Sequence, residues 1–148
     1  MPELAFTKRG AAGVTFGVPV ALNNALTVES GTLAFNAPFG TLSNATFAST
    51  LTVATNAALV FGGSSVTQTL SGSLSGTGSL SVTSGRLKLS ALMTAFAGNV
   101  IASNGVLELA RGDQFFNNSS IIRVAAGATC EVTAKDATGY NVTNTNPI

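Results

Sequence analysis

Residues 70–110 read LSGSLSGTGSLSVTSGRLKLSALMTAFAGNVIASNGVLELA. Four short runs alternate apolar with polar residues: Leu80-Ser-Val82, Arg86-Leu-Lys-Leu89, Asn99-Val-Ile101 and Val106-Leu-Glu-Leu109. Gly, Ser and Asn separate them. Alternation with a period of two puts one apolar row on one face of a strand, and the residues between the runs are those that tight turns favour. The stretch therefore predicts strands broken by turns, one coil of a repeating β-structure after another.

The same strand, turn, strand phrase recurs on both sides. Before the stretch it is Leu26-Thr-Val28, Glu-Ser-Gly31, Thr-Leu-Ala-Phe35, and then Leu51-Thr-Val53, Ala-Thr-Asn-Ala57, Ala-Leu-Val-Phe61, with Asn56 standing where Gly is expected. After it comes Ile121-Ile-Arg-Val124, Ala-Ala-Gly127, Ala-Thr-Cys-Glu-Val132. The turn positions 31, 56, 85, 105 and 127 lie 25, 29, 20 and 22 residues apart, a period that belongs to solenoids. Only residues 91–97 have room for a turn or two of helix.

Each phrase carries an apolar pair two residues apart: Leu33 and Phe35, Leu59 and Phe61, Leu87 and Leu89, Leu107 and Leu109, Cys130 and Val132. One coil cannot bury such a pair. Coils stacked at about 4.8 Å pair their backbones and pile the pairs into an interior row, and five of them make a rod of roughly 20 to 25 Å. On this reading residues 1–24, interrupted by Gly10, Gly13, Gly17 and Pro19, are an irregular N-terminal arm or cap. Residues 25–133 are the β-solenoid and residues 134–148 a C-terminal tail or cap.

Composition narrows the function. The 148 residues fit one domain, and 45% are apolar while only 9% are charged, with a mean hydropathy of +0.42. An ordinary soluble domain is about one quarter charged, so this surface is covered by Ser, Thr, Asn and Gly, or by other protein. The net charge is +1 and the only adjacent basic pair is Lys8-Arg9, which argues against a nucleic-acid surface. No apolar run is long enough for a membrane helix, so membrane insertion is not expected. Residues 10–22 after Lys8-Arg9 have a faint secretory look, but Glu3, Thr15, Pro19 and the internal glycines favour a strand or extended arm. One cysteine and no histidine exclude a disulfide framework and remove the commonest metal ligand and general base, so no cofactor and no metal are expected. Cys130, inside an alternating run, reads as a small buried core residue.

Leu74-Ser-Gly-Thr-Gly-Ser-Leu80, Ser84-Gly-Arg-Leu-Lys-Leu89 and Phe96-Ala-Gly-Asn-Val100 with the following Gly105-Val-Leu-Glu-Leu109 resemble the autotransporter-associated β-strand repeat of passenger domains. The resemblance covers about forty residues well and 26–61 and 121–132 loosely. It implies a right-handed parallel β-helix and says almost nothing about activity, because β-helical coils are shared by tail spikes, adhesins and virion proteins. The chain departs from an autotransporter in having no convincing export signal and no C-terminal alternating barrel; it closes on the polar Asn144-Thr-Asn-Pro-Ile148.

Catalysis has candidates. Glu108 and Glu131 stand outward between inward residues, Lys88 holds the same place one coil earlier, and Arg86 lies close by. Carbohydrate cleavage needs two carboxyl groups several ångströms apart; a solvated ladder of cross-strand ion pairs accounts for the same residues. The ion-pair reading is preferred, since neither His nor Asp joins the ladder and residues 30–85 carry no charge at all. Arg111-Gly-Asp113 spells an adhesion tripeptide and equally a polar turn. The sequons at Asn44, Asn117, Asn118 and Asn141 follow from an Asn/Ser/Thr-rich composition.

What remains is interaction surface. Phe39, Phe47, Phe96, Phe115 and Phe116 fall in turn-rich segments and are expected to plug the rod's ends or mark contacts. Phe6, Lys8, Arg9 and Phe16 of the first segment, with Phe115 and Phe116, are the candidate partner-contact residues. The expectation is a non-enzymatic virion protein assembled in the host cytoplasm. It would be a bacteriophage capsid decoration or cement protein that contacts the major capsid protein or another virion protein, as a side-by-side trimer. The alternatives are a fragment of a secreted passenger acting as an adhesin at the bacterial cell surface, and a carbohydrate-binding or carbohydrate-cleaving spike module.

Overall fold

The structure, a computed structural model, describes residues 5–37, 45–63, 65–111 and 119–133. Within them the chain forms fifteen short strands and no helix. In chain order they are β1 (Phe6–Lys8), β2 (Val14–Phe16), β3 (Leu26–Val28), β4 (Gly31–Phe35) and β5 (Thr46–Phe47). β6 (Leu51–Val53), β7 (Ala57–Phe61), β8 (Thr67–Leu70), β9 (Leu74–Gly76) and β10 (Ser79–Val82) follow. The last are β11 (Arg86–Leu89), β12 (Asn99–Ala102), β13 (Gly105–Leu109), β14 (Ile121–Val124) and β15 (Ala128–Val132).

These strands build three parallel walls of a β-solenoid of about five turns. The first wall runs β1-β3-β6-β9, the second β2-β4-β7-β10-β12-β14 and the third β5-β8-β11-β13-β15. Register is set by the alternation. Leu33, Leu59, Leu80, Val100 and Ile122 stand one above another in the second wall, at sequence steps of 26, 21, 20 and 22. Leu26, Leu51 and Leu74 do the same in the first wall, and Leu87 and Leu107 in the third. All are at most 1% exposed, and each such side chain taken from water is worth about 1.5–3 kcal/mol.

The five turn positions read from the sequence all lie in the left-handed region: Gly31 at φ 70°, Asn56 at 63°, Gly85 at 72°, Gly105 at 81° and Gly127 at 89°. They do not all occupy the same corner, however. Gly31 opens and Asn56 precedes a strand of the second wall, whereas Gly85, Gly105 and Gly127 precede or open strands of the third. The apolar pairs accordingly form two rows, not one: Leu33-Phe35 and Leu59-Phe61 line the second wall, and Leu87-Leu89 and Leu107-Leu109 the third. Any left-handed corner between two alternating strands gives the same local phrase, so the 29-residue step hides a shift of one wall.

Three further expectations change. Phe6–Lys8 and Val14–Phe16 pair in parallel with β3 and β4, so the described part of residues 1–24 belongs to the rod as its first coil. Residues 91–97 form a turn, closed by Phe96 N donating to Met93 O at 2.9 Å, with both side chains fully buried. Phe96 and Phe47 are thus core residues. Cys130 stacks in register on Leu107 and Val132 on Leu109, yet Cys130 is only half-buried and Val132 is 38% exposed. No strand of the described residues covers them.

Serine and threonine at the corners have a structural use. Ser71 and Ser90, each just after a third-wall strand, donate both backbone N and side-chain Oγ to the carbonyl that ends the third-wall strand one coil back, Phe47 O and Leu70 O. Thr83 and Ser103 do the same to Phe61 O and Val82 O at the next corner. A hydroxyl there occupies the second lone pair of a carbonyl at the strand end.

One inward position breaks the apolar rule. Gln68 pairs in register with Leu87, is 2% exposed, and its Oε1 has no hydrogen-bond partner. A buried acceptor left unpaired costs about 1–3 kcal/mol. Gln68→Leu, nearly isosteric, is expected to raise stability by about 1–2 kcal/mol, read as a higher urea midpoint with an unchanged slope.

Candidate functional site

Charge in the described chain gathers at two places. At the first coil, Lys8 takes the inward position in register with Val28 and Val53 and is 4% exposed. A buried ammonium must have its donors occupied, and Nζ donates to Arg9 O (3.0 Å), Gly10 O (2.6 Å) and Ser30 O (3.0 Å). Lys8 therefore ties the corners of the first two coils together. Arg9 is exposed and pairs with Glu29 at 2.8 Å. Phe6 and Phe16 are half-buried, meet edge to face at 5.8 Å, and Phe16 continues as a stack onto Phe35 (5.3 Å) and Phe61 (5.8 Å). Of the six residues expected to touch a partner, these four are brought together at one end of the rod, with Arg9 the most exposed. Phe115 and Phe116 lie outside the described residues, as do Phe39, Gly112-Asp113 of the tripeptide and the four sequon asparagines.

The second place is the outer face of the third wall. Lys88, Glu108 and Glu131 stand in register on β11, β13 and β15, as the sequence predicts. The Arg86 guanidinium reaches across two coils to Glu108 Oε2 (3.0 Å) and Glu131 Oε2 (2.7 Å). Lys88 Nζ lies 3.3 Å from Glu108 Oε1, which also accepts from Thr133 Oγ1 at 3.0 Å. Both carboxylates are thus held by cations. Burial pushes the Glu108 carboxyl up, but hydrogen bonds from Thr133, Lys88 and Arg86 outweigh it and leave its pKa below the usual value. That is the opposite of what a general acid requires. Burial, with the Glu131 charge beside it, raises the Cys130 thiol, which keeps it protonated and unreactive at neutral pH.

The sign of the Glu108 shift gives a test. A carboxyl whose pKa is depressed by folding adds stability above its unfolded pKa, and loses it as pH falls through the folded value. Glu108→Gln is expected to cost about 1 kcal/mol near pH 7. That difference from the parent chain narrows as pH drops below about 4, read from urea midpoints across the pH range.

The widest surface is the outer face of the second wall. One outward column is Thr15, Ala34, Val60, Ser81, Ile101 and Arg123; the other is Thr32, Ala58, Ser79, Asn99 and Ile121. Six strands thus present small and β-branched side chains with one charge, Arg123, at the C-terminal edge. Sequence reading missed this face because the outward residues of an alternating strand look like ordinary spacers until the coils are in register. On the first wall, Thr7, Thr27, Thr52 and Ser75 stack outward, with Thr52 and Ser75 hydroxyls 3.1 Å apart.

Among the described residues, no group of three or more His, Cys, Asp and Glu gathers to hold a metal, and no helix is long and apolar enough to cross a membrane. No protein-family model, curated protein or solved structure matches the chain.

Proposed function

We propose that the chain is a non-enzymatic structural protein of a virion, a capsid decoration or cement protein of a bacteriophage whose rod lies on the assembled shell and bridges neighbouring capsid subunits. The observation that carries this reading is the second wall's outer face, six strands high and nearly free of charge. A face of this kind gives up little charge hydration when another protein covers it. The carboxylates, held in ion pairs, support structural use over cleavage.

Size bears on the stoichiometry. Six strands at about 4.8 Å and four residues at about 3.3 Å give a face of roughly 400 Å², against about 800 Å² per partner in a stable complex. One face alone therefore makes a weak contact. A side-by-side trimer with several faces on a repeating lattice gains by avidity what one contact lacks, and binding only the assembled state stabilises that state.

The test is co-expression with a phage coat protein, taken from beside its gene if the gene's neighbourhood encodes one. The decoration reading expects the chain to sediment with assembled shells and not with free coat subunits, to raise the shell's melting midpoint, and to scatter light as a trimer. A chain that remains monomeric in the supernatant beside intact shells overturns it.

A further inference from the structure

We propose that the corner Asn104-Gly105 is a site of spontaneous covalent modification, where the folded chain converts its asparagine to aspartate and isoaspartate. Asn104 is exposed between β12 and β13, and it is the one asparagine of the sequence followed by glycine. The Gly105 backbone nitrogen is turned to that side chain, donating to Asn104 Oδ1 at 2.9 Å. The next amide, Val106 N, is instead spent on Gly85 O at 2.8 Å.

The geometry brings nucleophile and electrophile together. Cγ lies one carbonyl bond, about 1.23 Å, beyond Oδ1, so the nitrogen is within about 4.1 Å of it at most. Near-attack separations are about 3–3.5 Å, and the terminal torsion of asparagine is broad enough to close the gap at little cost. Gly105 has no side chain to obstruct the approach and sits at φ 81°.

The chemistry needs only water. The Gly105 nitrogen bonds to Asn104 Cγ as the Cγ–Nδ2 bond breaks, and Nδ2 leaves as ammonia with the proton shed by the amide. The product is a five-membered succinimide. Water then opens it at Cγ to give aspartate, or at the backbone carbonyl to give isoaspartate, whose main chain runs through the former side chain. Nothing is oxidised or reduced.

The two products differ in what they do to the rod. Aspartate adds a charge on an exposed corner. Isoaspartate adds a carbon to the backbone just before Gly105, in a coil held to the one before it by Val106 N donating to Gly85 O at 2.8 Å. Coil 104–109 must then lift from coil 84–89, and the Val106–Gly85 hydrogen bond is lost.

The experiment incubates the intact folded protein at pH 7.5 and pH 9, beside the same protein unfolded in urea. Tryptic peptide 89–111, which holds Asn99 and Asn104, is then analysed by mass spectrometry. The folded sample is expected to gain about one dalton, NH₂ replaced by OH. Fragmentation places the gain at Asn104 ahead of Asn99, in two separable peptides of equal mass, faster at the higher pH. Asn104→Ser, at an exposed position, is expected to abolish the gain. A gain confined to the urea sample, or one at Asn99 with Asn104 unchanged, overturns the proposal.

Discussion

Gly76→Ala is expected to lower stability by about 2–6 kcal/mol, the sum of two independent faults. Gly76 ends β9 at φ 106°, where a side chain strains the backbone by about 1–3 kcal/mol. Its added carbon would also run into Val53 O and come within 2.8 Å of Val53 C in the coil before it. Overpacking against backbone that cannot move typically costs about 1–3 kcal/mol more. On the other side Ala97 N bonds Gly76 O at 2.8 Å and Gly76 pairs with Phe96, so the coil cannot lift away from one neighbour without losing the other. Domains are stable by about 5–15 kcal/mol, and the expected readout is a collapse of the urea midpoint and loss of the cooperative transition at 37 °C. A variant with a midpoint near that of the parent chain would show that the corner has slack.

The second large effect lies in the aromatic ladder. Phe35 is fully buried and stacked between Phe16 and Phe61, with ring centroids 5.3 and 5.8 Å away and interplanar angles of 20° and 17°. Phe35→Ala removes the middle ring, and a cavity between coils held at fixed spacing cannot collapse. The expected cost is about 3–5 kcal/mol. Phe35→Leu keeps most of the volume and is expected to lose about 1–2 kcal/mol. Near-equal costs for the two would mean that ring stacking, rather than volume, holds the ladder. Phe16, half-buried at the end of the same stack, is expected to cost less than Phe35 when truncated.

The solenoid was legible in residues 70–110 because two signals agree there. Alternation fixes which residues point inward, and Gly85 and Gly105 mark corners where the backbone turns left-handed. Asn56 was legible by its place in the phrase, since asparagine tolerates that region better than other side chains. The assignment of phrases to walls was not legible. Leu51-Thr-Val53 and Leu80-Ser-Val82 have the same alternation, yet one lies in the first wall and the other in the second, and only the hydrogen-bonded register separates them. Strands as short as Thr46–Phe47 and Leu74–Gly76 carry too few residues to show a period, so the third side of each coil stayed hidden.

The charged ladder shows the same division. Lys88, Glu108 and Glu131 were placed in register by their positions between leucines and their likes, but Arg86 spanning both glutamates depends on side-chain reach. The sequence marks Lys8 only as half of a basic pair with Arg9 and as a candidate partner contact. Its burial follows from taking an inward place in a strand, where only the nearby carbonyls of Arg9, Gly10 and Ser30 make an ammonium tolerable.

The last described coil, paired with a strand on one side only among the described residues, gives the rod a direction in time as well as in space. Each coil of a solenoid leans only on its neighbours, so opening spreads from an end rather than through the whole at once. Among the described residues a strand pairs with Cys130 and Val132 from one side alone, and amide hydrogens of 121–132 are expected to exchange first, those of 99–109 next and those of 79–89 last. Exchange at one common rate across the three would mean that the rod opens as a block. Under a steady pull at that end, the chain would come off turn by turn, like thread from a spool.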